Sequence, residues 1–182
     1  ILEAMPETMN REMHRMWAKK MGLAEFSEEL FAELHALMAE TPVDYTIFWR
    51  ELSSLPGHVA ALRPAFYETR GGYSQGSVAM EARWANWLQK WHAALEREGR
   101  PPAGVSEAMR RVNPKYIPRE WMMVEAYRSA TDTGDYSLVQ RLHNVLEDPY
   151  GEQSEAVAAL YYKKKDERFF DLGGTSHCSC SS

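Results

Sequence analysis

Apolar side chains in this sequence recur at intervals of three and four residues, in runs that stop at Gly or Pro, and nowhere show convincing alternation. That period fits the turn of an α-helix and not the two-residue pleat of a strand. The clearest run is Trp84, Trp87, Leu88, Trp91 and Leu95, on a helix expected from Val78 to Glu98 and closed by Gly99 and Pro101-Pro102. A chain patterned in this way has to bury helix stripes against one another. The expected class is therefore all-α, with helical hairpins packed as an irregular bundle. An aromatic stripe at helical spacing is more often a packing face than a ligand platform, so the tryptophans are assigned to the core.

The same reading places the other helices. Met9, Met13, Met16 and Trp17 mark an apolar face that ends at Gly22, a good C-cap. Leu30, Leu34, Leu37 and Met38 follow, with Ser27 as N-cap, Glu28 and Glu29 complementing the helix dipole, and Pro42 beyond the end. Asp44 caps a short helix carrying Ile47, Phe48 and Leu52, which stops before Pro56-Gly57. Residues 56 to 77 hold two prolines and four glycines and read as a linker-like connection. Further on, Ser106 to Val112 makes a short helix, and Pro118 suits the first turn of a helix running to about Thr133. Gly134 ends that helix and Asp135 caps the next, whose stripe is Leu138, Leu142, Val145 and Leu146. So short a connection makes a helical hairpin. A last helix is expected from Glu155 to about Phe169, which leaves a helical region over residues 1–170 and an aperiodic, flexible tail over 171–182.

Composition excludes several classes of function. A net charge of −5 argues against a nucleic-acid surface, since phosphate recognition needs clustered Lys and Arg. The basic run Lys163 to Lys165 is followed by Asp166 and Glu167 and reads as a solvated helix face. The longest apolar run, Ala156 to Tyr162, falls far short of the ~18 residues a membrane span needs. Two cysteines two positions apart do not make a disulfide framework, which favours an intracellular setting. The start at Ile1 rather than Met fits a segment cut from a longer protein.

Both cysteines, Cys178 and Cys180, lie in the terminal stretch GGTSHCSCSS. Thiols among Gly, Ser and Thr are placed for access, not for packing. Three readings stand: a redox-active tail, an inert one, or a partial metal site with His177, which lacks a second cluster to complete a tetrahedron. Asp171-Leu172-Gly173 resembles the metal-binding Asp-x-Gly triplet of protein kinases, but no Gly-rich loop, strand Lys or catalytic-loop motif accompanies it, so it is taken as chance. Walker-type loops, His-Glu-x-x-His helices and Gly-x-Ser-x-Gly elbows are absent from the sequence. No residue here is assigned a catalytic, metal-ligating or cofactor-binding role.

One stretch carries a more specific signal. Asn113-Pro114-Lys115-Tyr116, Arg119, the hairpin Gly134-Asp135-Tyr136-Ser137, the turn Pro149-Tyr150 and the ending Cys180-Ser181-Ser182 occur in this order. Together they resemble the C-terminal region of the selenoprotein O family, in a form with Cys where other members carry selenocysteine. The resemblance implies a kinase-like fold lying N-terminal to this region, which binds ATP with magnesium or manganese and transfers AMP to Ser, Thr or Tyr hydroxyls of protein substrates. It implies no ATP or metal ligand in this chain. It implies a redox role for Cys180, with its disulfide partner expected in the kinase-like part and Cys178 as the other candidate. The expected partners are that kinase-like part and the protein substrates, with no nucleic acid and no membrane. The location implied is mitochondrial in a eukaryote and cytoplasmic in a bacterium. The alternative is a freestanding helical interaction module with an inert tail.

Overall fold

The computed structural model describes residues 5–67 and 78–165. Among them the regular structure is helical throughout: α1 (Met5–Met21), α2 (Glu28–Glu40), α3 (Tyr45–Leu52), α4 (Val78–Arg97), α5 (Pro102–Arg110), α6 (Glu120–Thr133), α7 (Ser137–Leu146) and α8 (Glu155–Tyr161), with a 3-10 helix at Val59–Ala65. No strand occurs among the described residues, and the one β-type contact is an antiparallel bridge between Val43 and Phe66. The all-α expectation holds. None of these helices is long and apolar enough to cross a membrane. The chain forms two compact units, one of Ile1–Val43 with Phe48–Asn113 and the other of Asp44–Ile47 with Pro114–Ser182.

The first unit is built around the tryptophan stripe. Trp84, Trp87 and Trp91 are fully buried, and each indole N–H finds an acceptor: Thr41 Oγ1 at 3.1 Å, the Leu30 carbonyl at 2.9 Å and the Met21 carbonyl at 2.8 Å. The stripe therefore buries large apolar area without orphaning a donor. Trp87 and Trp91 stack with ring centroids 5.9 Å apart, and Phe48 and Phe66 both pack against Trp84. Ser27 caps α2 as its sequence position suggests, its side chain accepting from the Leu30 N–H. Gly22 sits at φ +74° just past α1, and a Cβ there would lie 2.6 Å from Met109 Sδ, so both the turn and the approach of α5 call for glycine.

Three expectations for this unit change. Residues 56–67 are more than a connection, because Val59, Leu62 and Ala65 are buried along one side of the 3-10 helix and Phe66 and Tyr67 are buried after it, while the rest of the linker-like stretch, 68–77, lies outside the described residues. Their spacing of three is the period of a 3-10 helix, which a search for 3.6-residue stripes passes over. α5 begins at Pro102, not Ser106, since a proline is accommodated at a helix start where no N–H is needed. The Ser106 hydroxyl instead donates to the Ser53 carbonyl at 2.6 Å. Finally, of the apolar face expected on α1 only Trp17 packs, against Phe31 and Trp49. Ala18 and Met21 are buried, while Met9, Met13 and Met16 are exposed.

The second unit has a smaller core. Trp121 and Met122 of α6 are buried, with Leu142 of α7 and Tyr161 of α8 packed against them. Gly134 ends α6 at φ +70°, and Asp135 Oδ1 accepts from the Ser137 N–H at 2.9 Å to start α7, which makes the helical hairpin. These hydrogen bonds from Ser137, backbone first and side chain second, hold the Asp135 carboxyl below its usual range.

Two elements of this unit depart from the sequence reading. α6 starts at Glu120, not at Pro118, because Arg119 keeps an extended backbone at φ −71°, ψ 138°. α8 stops at Tyr161 instead of continuing toward Phe169, because Tyr162 leaves the helical region at φ −96°, ψ 69°. The basic run after it is consequently not a helix face: Lys163 lies over the Trp121 ring at 5.0 Å and Lys165 is buried.

Candidate functional site

The residues that singled out the stretch 113–119 all have definite structural partners. Asn113 is the last residue of the first unit, and Pro114 starts the longer segment of the second. Asn113 is buried, and its Nδ2 donates to the Lys20 carbonyl at 3.0 Å and to Ser53 Oγ at 3.0 Å. With the amide oriented by those two acceptors, Oδ1 faces the Lys20 ammonium and accepts from it at 2.8 Å. The buried Arg50 guanidinium donates to the carbonyls of Arg110 and Asn113, each at 3.1 Å. Lys20 Nζ also lies over the Trp49 ring at 5.2 Å.

Burial pushes the Lys20 ammonium down from 10.5 to about 8. Because the folded value lies below the unfolded one, holding the charge in the folded state costs stability at all pH below about 8. That cost is relieved as pH rises from about 8 toward 10.5, where the unfolded chain binds more protons. Allowing for the part of the side chain that stays in water, the gain is on the order of 2 kcal/mol. Denaturant unfolding at pH 7.5 and 10 should show it as a rise that Lys20→Met removes. An identical pH slope in the variant would rule out Lys20 as its source.

On the other side of Asn113, the backbone N–H groups of Lys115 and Tyr116 both donate to the Pro149 carbonyl, at 2.8 and 3.1 Å. The Pro149-Tyr150 turn is thereby tied to the segment that resembles the family alongside it. The Tyr116 hydroxyl donates to the Glu152 carbonyl at 2.8 Å, and Lys115 Nζ donates to the same carbonyl and to Glu152 Oε2 at 2.7 Å. The Lys115 ammonium lies 5.6 Å from the Tyr116 ring centroid and 5.3 Å from that of Tyr162.

Arg119 makes a buried, bidentate ion pair in the second unit. Its guanidinium grips Asp44 with two parallel bonds, Nη1 to Oδ2 at 2.6 Å and Nη2 to Oδ1 at 2.9 Å. Both side chains are essentially inaccessible, at 1% and 0% exposure. Asp44 Oδ1 accepts in addition from the Ile47 N–H at 3.0 Å, so one carboxylate both caps α3 and pairs with Arg119. The sequence reading found Asp44 as a cap but not as an ion-pair partner. It passed over Lys20, Arg50, Ser53 and Glu152 altogether, because each meets its partner only through the fold.

The chemistry these groups offer is binding and positioning. Among the described residues no three His, Cys, Asp or Glu side chains gather as metal ligands. One groove, about 860 Å³ between the start of α2 and the end of α4, is lined by Leu23, Phe26 and Leu30, by the carboxylates of Glu25, Glu29 and Glu98 and by the cations of Lys90 and Arg97. Cys178 and Cys180, together with His177 and Asp171, lie outside the described residues.

A model of the family described as protein adenylyltransferase SelO matches residues 2–147, a span that takes in α1 through α7 and the segment Asn113 to Arg119, while the Pro149 and Glu152 partners of that segment lie beyond it. The chain belongs to the SelO family. Relatives agree with that assignment. A protein nucleotidyltransferase YdiU of Methylobacillus flagellatus is 33% identical over 97% of this chain and 34% of its own length. Those of Xanthomonas axonopodis pv. citri and Myxococcus xanthus are 37% and 40% identical over 91% and 79% of the chain, and over 32% and 28% of their own lengths. The chain thus spans about a third of the length of the curated SelO relatives it matches. Its Asn-Pro-Lys-Tyr segment and its Gly134-Asp135-Tyr136-Ser137 hairpin both lie within the SelO match.

Proposed function

We propose that this chain is a helical, non-catalytic region of a protein adenylyltransferase that transfers AMP from ATP to Ser, Thr or Tyr hydroxyls of protein substrates. The observation that carries the reading is the SelO match over residues 2–147, in a chain where Asn113, Tyr116, Arg119 and Asp135, family-like residues among those described, hold helices and turns. ATP and its magnesium or manganese belong, on this reading, to the part of the family's length that the chain does not span. Cys180 stands where the family carries selenocysteine or its Cys substitute and acts as a redox group, with a cysteine of that other part as its disulfide partner. A bacterial member of this kind works in the cytoplasm.

Labelled ATP, divalent metal and a generic protein acceptor provide the test. Transfer of AMP from ATP, with pyrophosphate as the leaving group, depends on donors and metal ligands preorganised around the reacting phosphate. The isolated chain should incorporate label only at background, while the intact Methylobacillus flagellatus relative incorporates it readily. Transfer by this chain alone, or none by the relative, would overturn the reading. The redox part is checked separately, by mapping disulfides after peroxide treatment of a family-length protein that carries this tail. A bridge that survives Cys178→Ser and is lost in Cys180→Ser is the expected outcome.

A further inference from the structure

α1 has three faces. At about 100° per residue, His14, Trp17, Ala18 and Met21 fall on the side that packs within the first unit, where Ala18 and Met21 are buried, Trp17 contacts Phe31 and Trp49, and His14 stacks on Phe26. Arg11, Glu12, Arg15 and Lys19 fall on a second side, and Glu12 pairs there with Arg15 at 3.0 Å. The third side holds Met5, Met9, Met13 and Met16 within about 80° of arc. These four side chains are 54%, 54%, 47% and 44% exposed. A helix with one packed face needs polar residues on the rest of its surface; α1 has them along one remaining side, and on the methionine side only at the C-terminal end, where Lys20 turns into the first unit to meet Asn113 Oδ1. The rest of that side is a continuous line of flexible, polarisable thioethers, a chemistry that moulds itself to an apolar partner.

We propose that this methionine stripe seats the portion of the family-length protein that the chain does not span. The proposal rests on the reading of the chain as a region of a longer adenylyltransferase. Two observations select that occupant. The curated relatives are about three times as long as this chain, so most of the family's length is available as a covalently tethered neighbour, and the SelO match begins at residue 2 and includes α1. The stripe is also small. It exposes on the order of 400 Å² of apolar surface, about half of the ~800 Å² per partner that a stable complex of separate chains buries. A tethered segment manages with less, because the linkage supplies an effective concentration that a second copy has to provide by itself. The matching surface is an apolar groove wide enough for one helix face.

Side-chain footprinting by hydroxyl radicals tests this on unmutated proteins, comparing this chain with the intact Methylobacillus flagellatus relative. In this chain Met5, Met9, Met13 and Met16 should be oxidised at least about tenfold faster than Met21 and Met109. In the relative, the four aligned positions should be protected at least about fivefold against a reference residue of equal reactivity. Equal labelling of those positions in both proteins would overturn the proposal. A second arm reads stability. Met9→Glu with Met13→Glu should leave the melting temperature of this chain within about 1 °C, while glutamates at the aligned positions of the relative lower its melting temperature by about 5 °C or more. Equal shifts in both proteins would assign the stripe a role inside the first unit. Sedimentation that shows this chain dimerising, with the glutamate pair dissociating it, would give the stripe to a second copy. None of these measurements involves ATP, so their failure is distinct from a failure of the adenylyltransferase reading.

Discussion

Trp87→Ala is expected to destabilise the chain by about 3–5 kcal/mol, the range for truncating a large aromatic side chain in a closed core. The indole is fully buried, stacks on Trp91 at 5.9 Å and an interplanar angle of 7°, and spends its one N–H on the Leu30 carbonyl. Removal opens a cavity between α2 and α4 that the neighbouring tryptophans cannot fill without leaving their own acceptors, Thr41 Oγ1 and the Met21 carbonyl. Trp87→Phe separates the contributions. It keeps most of the ring contact and loses the hydrogen bond, and should cost on the order of 1 kcal/mol from the bond plus a smaller cavity term. Urea unfolding followed by tryptophan fluorescence or far-ultraviolet dichroism gives both values. A change below about 1 kcal/mol for the alanine variant would mean that the stripe is not core.

The second large effect is expected at Asp44 and Arg119. Replacing either partner of a buried ion pair strands the other in a medium that solvates it poorly, at a cost of about 3–5 kcal/mol. Arg119→Met removes one bidentate partner of a carboxylate that still caps α3 through Ile47. Asp44→Leu removes the cap as well and should be the worse of the two by about 1 kcal/mol. The double variant should recover a large part of the combined loss, since an apolar pair of similar volume replaces two desolvated charges. A double-mutant cycle on the full chain measures the coupling, and a coupling near zero would show that the two residues act independently of their 2.6 and 2.9 Å contacts.

The family-like residues were legible in the sequence as a pattern but not as a set of jobs. Asn113, Tyr116 and Arg119 stand close together in the chain, yet the structure sends them to different partners: Lys20 and Ser53, Glu152, and Asp44. Pro149-Tyr150 was recognisable as a turn, and its role as the acceptor for the Lys115 and Tyr116 N–H groups was not. Spacing rules describe which side chains share a face of one element, and these contacts join elements that no local rule relates.

What the sequence alone determined is therefore local in origin. The 3.6-residue period made the chain all-α and singled out Trp84, Trp87 and Trp91 as core, and Ser27, Gly22 and Gly134 marked helix ends by satisfying or freeing backbone groups near them. The tertiary structure decided what covers each face and what answers each buried charge. Lys20 meets Asn113 across 93 residues and Asp44 meets Arg119 across 75, separations at which periodicity carries no information. The same limit explains α1, where the spacing announced one apolar face while the fold packs only its Trp17 edge, together with Ala18 and Met21, and leaves the methionines exposed. A hydrophobic period states that a face avoids water, and only the packing of other elements against the helix fixes which face is buried and by what.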